Sequence, residues 1–437
     1  MKWLLLFTLC LSMQVNAWTN HTLIAQGLLA TIPQVRDAQA VRAETLDAFL
    51  IKNEDALVGF LQEQELWMRK NLWHYAPLPD DLVFIATGGV NDIRQRFAQA
   101  IRINPHAPFP LYLQLLPGES RPLLNKIQPG DIRTYKDIEY LGDVEIVALQ
   151  AGQWVAPLDI LSSANDEPDH GLDIGLFTDS GTEYGKKYGF GKQPFGNPNV
   201  DYSTQAPFHM GFYHEAEILY VVNGALRETY PEFRIFLIKA LSEFAFAHGS
   251  DYWGWRFMGW GMHYIGDFSN PYHVTVMPGK SALKTVSTGI LSALNIGHAQ
   301  ANTTQLLANR HTLIEDFQSI IMSDAYVEGQ PANKTIEALR MPVQVKEFEN
   351  RDVVNVFAQI SHSKSAQVHR VLLSSMPDEF VNDELREYVF SPERRKLIEN
   401  IRNSNGQKAV DNMTKTIADL LEDFAAHSAS YILSITQ

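Results

Sequence analysis

His263 and Asp267 stand four residues apart in Met262-His263-Tyr264-Ile265-Gly266-Asp267. That spacing puts an imidazole and a carboxylate on one face of a helix, where both can reach a single ion. His273 follows two positions after Pro271, and the proline bends or ends the helix so that this imidazole can be aimed at a neighbouring site. His311 and Glu315 repeat the four-residue spacing. Taken alone, either pair is more often a solvated helix face or a surface ion pair than a metal site. Two further segments carry usable donors. Pro168-Asp169-His170-Gly171-Leu172-Asp173 clusters carboxylates in a turn-rich context, and Phe208-His209-Met210 sets a histidine beside an aromatic residue. The only cysteine, Cys10, lies in an apolar N-terminal run, so any metal must be held by nitrogen and oxygen. Imidazole plus carboxylate without sulfur suits zinc in a hydrolytic site.

Helices are the elements that must position these groups. Apolar residues recur at three and four spacing from Thr22 to about Leu72, through Leu23, Leu28, Leu29, Leu46, Phe49, Leu50, Leu57 and Phe60. Helical patterning returns over Glu215–His248, Trp253–Phe268 and Ser281–Met322. After a proline-containing break near 330–343 it continues to the C-terminus, including Lys408–Ile432. The stretch 75–168 is punctuated by Pro and Gly, with one short helical run at Asn91–Ile101 and the rest read as loops. Residues 176–208 read as a polar, Gly- and aromatic-rich loop. Strand-like alternation is scarce, so the expected class is mainly α. Trp253, Trp255 and Trp260 are expected in the core around the His263 helix. Tyr184, Tyr188, Phe190, Phe195 and Tyr202 are expected to pack their own loop, with a substrate-rim role as the less common outcome.

The 437 residues, 45% of them hydrophobic, suffice for one large domain or two ordinary ones. Lys2, the apolar run Trp3–Met13 and the small-residue end Val15-Asn16-Ala17 read as a signal peptide. Cleavage is expected between Ala17 and Trp18, giving a secreted chain, extracellular or periplasmic, with no later stretch long and apolar enough to span a membrane. The net charge is −14, from 36 basic and 50 acidic residues. An acidic surface argues against broad electrostatic binding to nucleic acid or anionic membranes, except at a cleft whose metals reverse the local sign. Four glycosylation sequons, at Asn20, Asn302, Asn333 and Asn412, are read as chance.

His263-x3-Asp267-x3-Pro271-x-His273 resembles the signature of the zinc phospholipase C and fungal single-strand nuclease superfamily. Met262-His263-Tyr264-x-Gly266-Asp267-x3-Pro271-Tyr272-His273 is particularly similar to the alpha-toxin type of phospholipase C, and His21-Thr22-Leu23-Ile24-Ala25-Gln26-Gly27 resembles that family's first ligand helix. The resemblance spans 18–315, although only the motifs match visibly. It implies three zinc ions. One would be held by Asp169, His209, His263 and Asp267, a second by His273, His311 and Glu315. The third would take Trp18, through its free amine and carbonyl, with His21 and the bridging carboxylate of Asp267. Asp169 is also the candidate catalytic residue, orienting the attacking water with its non-coordinating face. The family's first aspartate and following histidine lie much closer together than Asp169 and His209 do here. Asp173 and Asp179 are therefore rivals to Asp169, and His214 to His209.

The expected organisation is a signal peptide at 1–17, a multi-helix catalytic domain at 18–328 with insertions at about 75–165 and 174–207, and a helical extension at 329–437. The expected function is a zinc-dependent phospholipase C that hydrolyses the glycerol-side phosphodiester of phosphatidylcholine-like lipids at a membrane surface. It would act as a monomer and without transmembrane insertion. The alternative is an extracellular single-strand nuclease or 3′-nucleotidase on the same scaffold, in which nucleic acid is the partner. From another class, a zinc-stabilised binding protein without turnover is the third reading. Glu315 favours the lipase, because nucleases of this type more often use aspartate there.

Overall fold

The computed structural model describes residues 20–135, 144–196, 201–293, 299–340 and 346–436, with the side chains of 288–303 excepted. The described chain is mainly helical, as expected. Its strands form two short antiparallel pairs, Val41–Arg42 with Trp154–Val155 and Tyr112–Gln114 with Ile146–Ala148. Among the described residues no helix is long and apolar enough to cross a membrane.

The central element is the helix Asp251–Asp267, buried on every side from Tyr252 onward. A helix that is apolar all round belongs in the middle of a large core. Trp253 and Trp260 are fully buried in it and Trp255 nearly so, as the sequence leads one to expect; each such side chain contributes ~1.5–3 kcal/mol on leaving water. The helix Pro231–Ala247 precedes it and folds back along it across the turn 248–250. On another side lies Pro157–Ala164, a helix that the sequence reading leaves among loops. Its approach depends on Gly259: a Cβ there would sit 2.6 Å from Ala164 Cβ and 2.8 Å from the Leu161 carbonyl oxygen.

The helical pattern over 22–72 divides into His21–Leu29 and the long helix Leu46–Asn71, with a proline turn and the strand Val41–Arg42 between them. Asn20 caps the first by accepting from Leu23 N at 3.1 Å, and Thr45 caps the second by accepting from Ala48 N at 3.2 Å. Asn20 is buried in this role. The described residues of 176–196 form no regular helix, and Tyr188, Phe190, Phe195 and Tyr202 of the 176–208 segment are buried.

The C-terminal third is helical and joins the same apolar core as the rest of the chain. Its last helix, Gln407–Thr436, packs on Asp251–Asp267, with Phe424 against Gly266 and Tyr431 against Gly261. Arg394 pairs with Asp316 on the helix Ala299–Val327. Among the described residues, apolar side chains on both sides of 328–329 belong to that one core.

Candidate metal centre

Asp267 is the last residue of the central helix. The chain then turns through Phe268-Ser269-Asn270, and Pro271 opens the short helix Pro271–Val274, which its fixed φ suits. Asn270 caps that helix by accepting from Tyr272 N and donates to Glu315 Oε1 at 3.2 Å. His273 is thereby turned toward the helix Ala299–Val327, which carries His311 and Glu315 one turn apart. His209 ends the short helix Ala206–His209, and Asp169 lies in the 3-10 turn Glu167–His170 that follows Pro157–Ala164. His21 opens the first described helix. A Cβ on Gly266 would come within 3.1 Å of His21 Nδ1, so the absence of a side chain there lets the histidine pack against the helix.

These eight residues converge into three adjoining groups that could each hold a metal ion: His21, His263 and Asp267; Asp169, His209 and His263; and His273, His311 and Glu315. All but Asp169 are completely buried, and Asp169 is 5% exposed. Around the middle group, His209 Nδ1 lies 3.0 Å from Asp267 Oδ2 and 3.1 Å from His263 Nε2. Asp169 Oδ1 is 3.8 Å from both imidazoles, and His263 Nε2 is 3.6 Å from Asp267 Oδ2. Tetrahedral zinc with ligands at 2.0–2.1 Å needs donors about 3.3 Å apart. The other oxygen of Asp267, Oδ1, faces His21 Nε2 at 3.5 Å. Beyond it, Glu315 Oε1 lies 2.7 Å from His311 Nε2 and 3.3 Å from His273 Nε2.

Tautomers are set from outside the cluster. His263 Nδ1 meets the Asn165 carbonyl at 2.7 Å and His273 Nδ1 the His209 carbonyl at 2.8 Å. Donation to those carbonyls leaves each Nε2 with its lone pair toward the cluster, the arrangement that metal-binding histidines use. His209 is held from the other side, its Nε2 3.4 Å from Asp173 Oδ2.

As bare protein the cluster is poorly compensated. Both nitrogens of His21, His311 Nδ1, Asp267 Oδ1 and Glu315 Oε2 are buried without a hydrogen-bond partner, which costs about 1–3 kcal/mol for each such group. Burial pushes the pKa values of His21, His263 and His311 well below the usual imidazole value, aided by the charges of neighbouring imidazoles. Burial opposes protonation of His209 too, yet hydrogen bonds to Asp173 and Asp267 outweigh it and raise its pKa to about 10. Burial lifts Asp169 to about 8 against the pull of His209, and raises Glu315 well above the ordinary carboxyl range, with Asp169, Asp316 and Asp267 adding to the effect. Neutral imidazoles beside crowded carboxylates in a dry interior are what bound cations would satisfy. The donor set, its spacing and its orphaned atoms fit zinc.

The rivals fall outside this set. Asp173 is paired with Arg234 at 2.6 Å and accepts from the Tyr264 hydroxyl at 2.6 Å, so it steadies His209 from behind. Asp179 is exposed and accepts from Gln193 N. His214 is bonded to the Val354 carbonyl. Trp18 and the expected cleavage point lie outside the described residues.

Several buried partners escape sequence reasoning. Asp166 accepts from His21 N at 2.5 Å and from the Thr22 hydroxyl at 3.3 Å, fixing the start of the first helix. Glu167 takes Arg256 at 2.6 Å and the Trp260 indole. Gln205 donates to Asp169 Oδ1 at 3.0 Å. An arginine flanked on both sides by apolar residues, as in Phe233-Arg234-Ile235 and Trp255-Arg256-Phe257, is the one available signal, because a buried guanidinium calls for a buried acid. Comparison of the chain with protein-family models, curated proteins and solved structures finds no match.

Proposed function

We propose that this protein is a zinc-dependent phosphodiesterase, a phospholipase C acting on phosphatidylcholine-like lipids. The observation that carries the reading is the convergence of Asp169, His209, His263, His273, His311 and Glu315 with His21 and with Asp267, whose two oxygens face His209 and His21. The motif resemblance to zinc phospholipases C supplies the substrate class, and Glu315 weighs for lipid over nucleic acid. In this reading the chain is exported, cleaved before Trp18, and holds three zinc ions, with Trp18 completing the group around His21 and Asp267.

Zinc held at these ligands supplies Lewis-acid polarisation of a phosphoryl oxygen and acidification of a nucleophilic water. The chain does the rest. The Asn165 and His209 carbonyls hold the imidazoles of His263 and His273 in their ligating tautomers. Gln205 occupies Oδ1 of Asp169, and the carboxylate orients the attacking water and takes its proton. The buried walls exclude bulk water, so fixed charges act at low dielectric.

Purified native-start protein, assayed on phosphatidylcholine and on single-stranded DNA with and without chelator, tests the reading. Phosphorylcholine release abolished by chelator and restored by zinc is expected. Chelator-sensitive cleavage of DNA alone would assign the nuclease, and chelator-insensitive turnover would overturn the metal assignment.

A further inference from the structure

Three arginines near the centre are each neutralised by an acid of their own. Arg234 is paired with Asp173, Arg256 with Glu167 and Arg394 with Asp316, all at 2.6–2.7 Å and all buried. Arg102 and Arg310, buried without an acid, donate to backbone carbonyls instead; among the described residues Arg133 has neither. It is half-buried beside the turn that carries Asp169, and its guanidinium lies over the ring of Tyr135, 5.4 Å from the centroid. Among the described residues no carboxylate lies within ion-pair distance of it, and its Nη1 is enclosed without a hydrogen-bond partner. Asp131, two residues away, accepts from Gln128 N instead. The Tyr135 side chain is its hydrogen-bond partner, which leaves the positive charge itself without a counter-ion.

Its surroundings lead inward. The Tyr135 ring meets that of Tyr202 edge-on, at 4.9 Å. The Tyr202 hydroxyl bonds to Asp169, and the ring is buried. The positive charge is felt nearby: after burial, Arg133 is the largest influence lowering His170, to about 3. The result is a path from a half-exposed cation through two tyrosines to a candidate metal ligand.

We propose that Arg133 is the anion-binding residue of this centre, its planar fork taking oxygens of the substrate's phosphate at the rim beside Tyr135 and Asp169. The proposal rests on the phosphodiesterase reading for its place in a reaction, but the binding itself does not require turnover. Two parallel N–H donors match two phosphate oxygens, a geometry lysine cannot reproduce.

Titration of the protein as isolated with inorganic phosphate, followed by calorimetry, tests it, with zinc content measured on the same samples. R133A is expected to weaken phosphate binding on the order of ten- to a hundredfold, the worth of a charged hydrogen bond. R133K is expected to fall between, with zinc content and Tm unchanged in both. KM should rise more than kcat falls for whichever diester, lipid or DNA, the wild type cleaves. No phosphate binding by the wild type would overturn the proposal, as would equal binding by the wild type and a folded R133A or R133K. Phosphate binding lost with Arg133 in a protein that holds no zinc would uphold the proposal and remove the phosphodiesterase reading.

Discussion

Asp267 presents one oxygen to His209 and His263 and the other to His21, so its loss touches two of the three groups at once. Asp267→Asn is expected to cost more than one equivalent of zinc and to lower activity by ~10² or more. Glu315→Gln should remove only the ion bound with His273 and His311. Elemental analysis of both variants checks this, and equal losses would refute the sharing. Asp173 gives the contrasting outcome. Asp173→Asn leaves Arg234 buried beside a neutral amide, a change expected to destabilise by about 3–5 kcal/mol, read as a lower denaturation midpoint even in the metal-free protein. The proton balance follows from the same residues. Without metal, hydrogen bonds to Asp173 and Asp267 raise the His209 pKa to about 10 and burial raises that of Asp169 to about 8, so at pH 7 both hold a proton that ligation must displace. Zinc binding at pH 7 should therefore release protons, and affinity should rise with pH toward those values. Calorimetry in buffers of differing ionisation enthalpy measures the release; heats independent of buffer would contradict it.

At the scale of elements, the helix Asp251–Asp267 is held close to Pro157–Ala164 by Gly259. Gly259→Ala forces backbone apart at the segment that leads into Asn165 and Asp169, and should cost ~1–3 kcal/mol by overpacking. Gly59→Ala is the control: in the long helix Leu46–Asn71 its Cβ would meet nothing within 4 Å, and gains of ~0.5–1 kcal/mol are expected. Urea midpoints decide both. The four-residue pairs His263/Asp267 and His311/Glu315 were legible in sequence because helical geometry alone brings their members together. The proximity of Asp169 to His209 was not, since the two lie forty positions apart, the described residues between them fold largely as loop, and no local rule fixes where such a loop returns. The same holds for Pro157–Ala164. It is a short helix with a proline at its first position in a proline-dotted stretch, and burial against the central helix sustains it. The choice of Asp169 over Asp173 turns on the ion pair of Asp173 with Arg234, a long-range contact that no local pattern reveals.

Over the whole molecule, a metal held at this cluster would act as a strut. Ions that bind the native cluster and not the unfolded chain stabilise by roughly 4 kcal/mol at a thousand times Kd for one site, so chelation should lower Tm while leaving most far-UV helical signal in place. An unchanged Tm would mean the cluster carries no ion. The packing of the last helix also bears on when the centre can come into being. His21 is among the first described residues to leave the ribosome, and Phe424, which walls Gly266 behind it, is among the last. A chain threaded N-terminus first would present imidazoles and carboxylates long before the shell that dries them exists. Contacts so distant in sequence also form slowly. The cradle is thus closed only after Phe424 has been made and packed: a metal filling it would be drawn from whichever compartment the chain occupies when that helix docks.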